Sequence, residues 1–153
     1  MPLSPPPLDE SSSVVPHNHV DILNSDNVIR RISEQQHIVP DAKAPQGKRI
    51  STKAFSPSSG VNGGMSVDLK TRLEADGLDV VAHVTSSEWI GSVVVGVQFL
   101  RDLGLKVGYD PLPNNVYHGE VWGDFTKPIK KQILSSATWF KGIKNVYLNE
   151  SAD

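Results

Sequence analysis

Cationic and hydroxyl side chains crowd the stretch Arg49-Ile50-Ser51-Thr52-Lys53-Ala54-Phe55-Ser56. A guanidinium presents a planar fork to phosphate or carboxylate, and neighbouring hydroxyls can complete an anion cradle. Arg31, in Val28-Ile29-Arg30-Arg31-Ile32, supplies a second fork. Arg31, Arg49, Ser51 and Lys53 are therefore the candidate ligand-binding residues. The competing reading pairs these arginines with carboxylates such as Asp68 and leaves the hydroxyls on a solvated strand face. His118 and Glu120 are the candidate catalytic pair. On one strand face their β carbons stand ~7 Å apart, and a carboxylate there orients an imidazole for proton transfer. An incidental pair on a surface strand is the alternative. Tyr117 and Trp122 beside them read as packing.

Other chemistries lack their residues. Gly91-Ser92-Val93-Val94-Val95-Gly96 has phosphate-loop glycine spacing, but Val97-Gln98 replaces the required lysine and hydroxyl. No dinucleotide fingerprint, zinc-protease helix or nucleophile elbow occurs. The chain of 153 residues has no cysteine, so disulfides and thiolate metal sites are excluded. His17 and His19 lie in a proline-rich, polar stretch and make a weak metal pair. The expectation is no metal and no cofactor. A net charge of −2 argues against nucleic acid. No apolar run approaches the ~18 residues of a membrane span. Met1 to Pro7 lacks the charged and apolar regions of a secretion signal, which points to a cytoplasmic protein.

The elements that must position these residues can be read from periodicity. Residues 1–27 read as a disordered Pro/Ser-rich tail, 28–148 as a single domain and 149–153 as a polar tail. Alternation predicts strands over 28–32, 48–55, 80–84 and 116–122. In the last of these, Val116, His118, Glu120 and Trp122 share a face. Residues 33–47 read as a long loop and 56–64 as a flexible turn. A helix is expected from Ser66 or Asp68 to Ala75, stopped by Gly77. Residues 92–99 and 105–109 read as a hairpin, with β-branched density outweighing a helical spacing of Val94, Val97 and Leu100. A helix over 127–141 is capped by Thr126, has Pro128 in its first turn and buries Ile129, Ile133, Ala137 and Phe140. The fold class is α+β, a mostly antiparallel sheet with this C-terminal amphipathic helix packed on it.

Arg30-Arg31-Ile32, the Arg49 to Phe55 run, Ser66-Val67-Asp68, and Asp110-Pro111-Leu112-Pro113-Asn114-Asn115 with His118 and Gly123 occur in that order. In this the chain resembles a widespread set of short bacterial proteins of unassigned activity. Their pattern runs R-R-I, a proline, R-x-S-S-x-A-F, S-V-D, D-P-L-P-x-N-P-x-H and V-G. The resemblance covers about residues 28–142. Thr52 stands for the second serine and Val116 for the proline after the asparagines. It implies a bacterial source and one compact domain.

Three function classes follow from these residues. The first is a small binding or interaction module whose Arg/Ser pocket accepts an anionic small molecule. The second is a small enzyme acting on a nucleotide or phosphoester. Its Arg-then-Ser strand order is similar to ADP-ribosyl-transferring toxins, with Glu120 as the available downstream glutamate. The third is a protein that neutralises a protein partner, as an immunity protein or antitoxin does.

Overall fold

A computed structural model describes residues 3–58 and 63–149. The parts of the expected 56–64 turn and C-terminal tail beyond these ranges lie outside the described residues. The fold is α+β, built on a mostly antiparallel six-stranded sheet. Its strands are β1 (Asn27–Ser33), β4 (Met65–Leu69), β5 (Trp89–Gly96), β6 (Lys106–Tyr109), β7 (His118–Trp122) and β8 (Thr138–Lys141), in the spatial order β6-β7-β4-β1-β5-β8. β2 (Ile38–Pro40) and β3 (Lys48–Ile50) form a separate two-stranded ribbon. The helices are α1 (Glu34–His37), α2 (Lys70–Ala75), α3 (Val80–Val84), α4 (Val97–Asp102) and α5 (Lys127–Ser136).

Each face of the sheet buries its own apolar set. Val28, Ile32, Met65, Val67, Val93, Val95 and Val121 face the larger core, with Phe55, Leu100 and Ile133 packed against them. Ile29 lies on the opposite face with Leu73, Val80 and Val84. Phe55 is fully buried. Phe55→Ala should cost about 3–5 kcal/mol, read as a drop in the denaturant midpoint at constant m. A loss under ~1 kcal/mol would place Phe55 outside the cooperative core.

Several elements differ from the periodicity reading, each for a local reason. β3 ends at Ile50, and residues 52–55 form a 3-10 turn because the Ser51 hydroxyl accepts the Lys53 amide at 3.1 Å. The expected hairpin over 92–109 does not form. The chain leaves β5 at Gly96 and coils into α4, using the helical spacing of Val97 and Leu100; Gly104, at φ 86, ends the turn. β5 then pairs with β1 and β8, while β6 pairs with β7. Residues 80–84 are helical, with Asp79 accepting the Ala82 amide. The helix expected from Ser66 or Asp68 to Ala75 begins only at Lys70, as α2, because residues 65–69 form β4; it ends at Ala75, ahead of Gly77. The C-terminal helix keeps its Thr126 cap but ends at Ser136, because the β-branched and aromatic run Thr138-Trp139-Phe140 pairs with β5. The loop over 33–47 holds α1, β2 and the start of a turn closed by the Asp41 amide on the Gly47 carbonyl.

Residues 3–26 are set apart by composition, yet they lie against the domain. Ile22 belongs to the larger core, and His19 is buried. The His19 ring accepts the Asp21 amide at Nδ1 and donates from Nε2 to the Ser4 carbonyl at 2.8 Å. Further along, this segment runs beside the outer edge of β6. Val107 N donates to Asn18 Oδ1 (2.9 Å), Tyr109 N donates to His17 Nε2 (3.2 Å), and His19 N donates to Val107 O (3.0 Å). Gly108 permits this approach, since a β carbon there would sit 2.6 Å from the His17 carbonyl oxygen.

Candidate functional site: a polar cleft between two diverging strands

The β1–β4 ladder covers only Val28↔Leu69 and Ile29↔Asp68. Beyond it, arginine side chains bridge β1 to β4. Arg30 donates from Nη1 to the Ser66 carbonyl at 2.9 Å and from Nε to the Ala54 carbonyl at 2.7 Å. Arg31 forks onto Asp68, with Nε to Oδ2 at 2.8 Å and Nη2 to Oδ1 at 3.0 Å. Where the strands part, a cleft of about 620 Å³ opens, lined by Arg30, Arg31, Ser66, Asp68, His83 and His118 among others. Trp89, Leu112 and the amides of Gln36, Asn114 and Asn115 complete its walls.

The register explains why these side chains meet. Asp68 pairs with His118 and Ser66 with Glu120 across β4 and β7, so all four share one face. Arg31 lies on the same face as Ile29, which pairs with Asp68. Asp68, buried at 3% exposure, is the hub. Besides the Arg31 fork it accepts Asn115 Nδ2 at 3.0 Å, and His83 Nε2 lies 3.6 Å from its Oδ1. The competing expectation for Arg31, a carboxylate partner in Asp68, is thus what the structure shows. Arg31 is still not saturated: its Nη1 has no partner among the described residues, and its side chain keeps 27% exposure.

His118 stands between two carboxylates. Its Nδ1 is 2.7 Å from the Asp110 carbonyl and 3.3 Å from Asp110 Oδ2; its Nε2 is 3.3 Å from Glu120 Oε2. Glu120 also accepts the Ser66 hydroxyl at 3.0 Å. Asp110, His118 and Glu120 are close enough to surround a cation. The two carboxylates approach opposite ring nitrogens, Asp110 at Nδ1 and Glu120 at Nε2. The arrangement suits a proton held along a line of acceptors better than a metal.

Arg30 is a buried cation beside these carboxylates. Burial pulls its guanidinium down to about 10, a shift partly offset by the negative charges of Glu120 and Asp68. It lines the inner wall of the cleft as a source of positive potential.

Of the candidate ligand-binding residues, Arg31 alone lines this cleft. Arg49 pairs with Asp41 at 3.1 Å and faces a separate groove with Tyr147 and Leu134. Ser51 is buried and spends its hydroxyl on the 3-10 cap, while Lys53 is exposed on that turn. Both catalytic candidates are near: His118 lines the cleft, and Glu120 lies behind it at 1% exposure. Sequence reasoning missed His83 and Asn115 as site residues. The one signal for His83 was the N-capping Asp79 ahead of Val80, which marks a helix where alternation suggested a strand. No family model, curated protein or solved structure matches the chain.

Proposed function

We propose that the protein is a small binding module that takes an anionic small molecule in the β1–β4 cleft, anchored by Arg31. The observation that carries this reading is convergence. Arg31 and His118 come from separate strands distant in sequence, yet they line one concave, polar site. The motifs that carry the resemblance to short bacterial proteins support it. Arg30 and Arg31, Ser66 and Asp68, Asn114 and Asn115, and His118 all contribute to the same cleft. A bacterial, cytoplasmic setting would make phosphorylated or carboxylated metabolites the natural ligands. A nucleotide or phosphoester enzyme is the second reading, favoured by the imidazole of His118 held between two carboxylates. No helix among the described residues is long and apolar enough to cross a membrane.

A thermal-shift series with orthophosphate, AMP and NAD tests the binding reading. At a hundredfold excess over Kd, a ligand should stabilise the protein by ~2.7 kcal/mol. Arg31→Lys should abolish that shift, because a point charge cannot hold Asp68 and a ligand in one planar fork. Arg49→Lys, outside the cleft, should leave it intact. No response to any anion, or equal responses in both variants, would sink the proposal.

A further inference from the structure

We propose that His83 is the proton-accepting group of the cleft, acting on a ligand whose anionic group Arg31 holds; the inference rests on the anion reading above. The hydrogen-bond network fixes the ring's tautomer. Tyr117 N donates to Asn115 Oδ1 at 3.1 Å, and Asn115 Nδ2 donates to the Asp68 carboxylate at 3.0 Å. Each contact alone sets the orientation of the Asn115 amide, and both agree. His83 Nε2 lies 3.0 Å from that same Oδ1, an acceptor, so Nε2 carries the hydrogen. Neutral His83 therefore presents a lone pair at Nδ1. Among the described residues this atom has no hydrogen-bond partner, and the side chain lines the cleft at 23% exposure.

The other histidines are committed. His17, His19 and His118 each engage both ring nitrogens. His37 is buried and accepts the Ser33 amide at Nδ1. His83 is also tied to the anchor. Its carbonyl accepts Arg31 Nη2 at 3.2 Å, and its ring is held edge-on to Tyr117 at 5.7 Å. When Nδ1 takes a proton, the imidazolium faces the Asp68 carboxylate 3.6 Å from Nε2. The substrate class that follows is a small carboxylate or phosphate with an acidic O–H or C–H close to the anionic group. That bond breaks, an N–H bond forms at Nδ1, and the electron pair remains on the ligand oxygen or carbon.

Iodoacetate is a direct probe of this pairing. Its carboxylate would sit at Arg31 while Nδ1 displaces iodide, forming an N–C bond as the C–I bond breaks and iodide leaves with the pair. With no cysteine in the chain, no thiol competes, and four other histidines serve as internal references. The unmodified protein is treated with iodoacetate or iodoacetamide, with and without orthophosphate, and the labelled peptides are quantified by mass spectrometry. His83 should be carboxymethylated roughly tenfold faster than any other histidine. The label should sit on Nδ1, form faster with iodoacetate than with neutral iodoacetamide, and be slowed by orthophosphate. His83 reacting no faster than the other histidines, or chiefly at Nε2, overturns the inference by itself, whatever anions do to thermal stability. His83 reacting fastest with both reagents alike, and unprotected by orthophosphate, overturns the anion anchor and both readings with it.

Discussion

Asp68→Ala should lower the stability of the folded protein by roughly 3 kcal/mol. Asp68 takes both arms of Arg31, one proton of Asn115, and lies close to His83, while almost no part of it reaches water. Removing one partner of a buried pair costs about 3–5 kcal/mol when the surviving charge is stranded. Arg31 retains 27% exposure and can partly rehydrate, which places the expectation at the low end. Asp68→Asn should fall between parent and Ala, since it keeps one acceptor but loses the charge. Urea titration measures both, with constant m as the condition for comparing midpoints. A loss under ~1 kcal/mol for Asp68→Ala would class the pair with ordinary surface ion pairs and remove the hub of the site.

Acid should destabilise the protein across a defined window. His37 is buried, stacks on Trp89 and accepts the Ser33 amide at Nδ1. Burial, with a smaller contribution from the Arg30 charge, lowers it to about 4. The unfolded chain takes up this proton near the ordinary histidine value of 6.5, whereas the folded protein waits until about 4. Between those values the unfolded state binds more protons. Stability is therefore fully present above pH 6.5 and falls as pH drops towards 4. The loss is on the order of 3 kcal/mol, and His17, also lowered chiefly by burial, adds in the same direction. Denaturant midpoints at pH 7.5 and 4.5 would register it, and His37→Gln should flatten the slope. A slope unchanged by that substitution would assign the acid sensitivity to other groups.

The α+β class and the first strand of the sheet were legible because Val28, Ile29 and Ile32 form a short β-branched run and because Thr126 and Pro128 announce α5. The 92–109 region misled because valine-rich β5 runs into α4 with only Gly96 at the junction, where it also fits the strand's alternation. There the switch is set by tertiary partners: the Val97 and Gln98 amides donate to Asp26 O and Asn24 O, residues placed outside the domain on composition. Arg49, Ser51 and Lys53 attracted notice through density in sequence, but a cluster in sequence is not a cluster in space. The 3-10 turn rotates Lys53 outward and consumes Ser51. Arg31 and His118 meet because two strand registers bring Asp68 beside both, and register is a long-range property no local spacing encodes.

The segment running past β6 has a practical meaning for anyone choosing where to cut this protein. β6 ends one side of the sheet, and its outward Val107 and Tyr109 amides are met by a histidine ring and an asparagine amide rather than by another strand's backbone. Together with the single backbone bond from His19 N to Val107 O, these side chains terminate the ladder and leave no regular row for a further chain to copy. A fragment trimmed to begin at residue 28 would retain every strand of the sheet yet present a fresh row of peptide groups to its neighbours. Such a row invites self-association. In solubility trials the low-complexity leader, the first part most workers would discard, is the piece to keep.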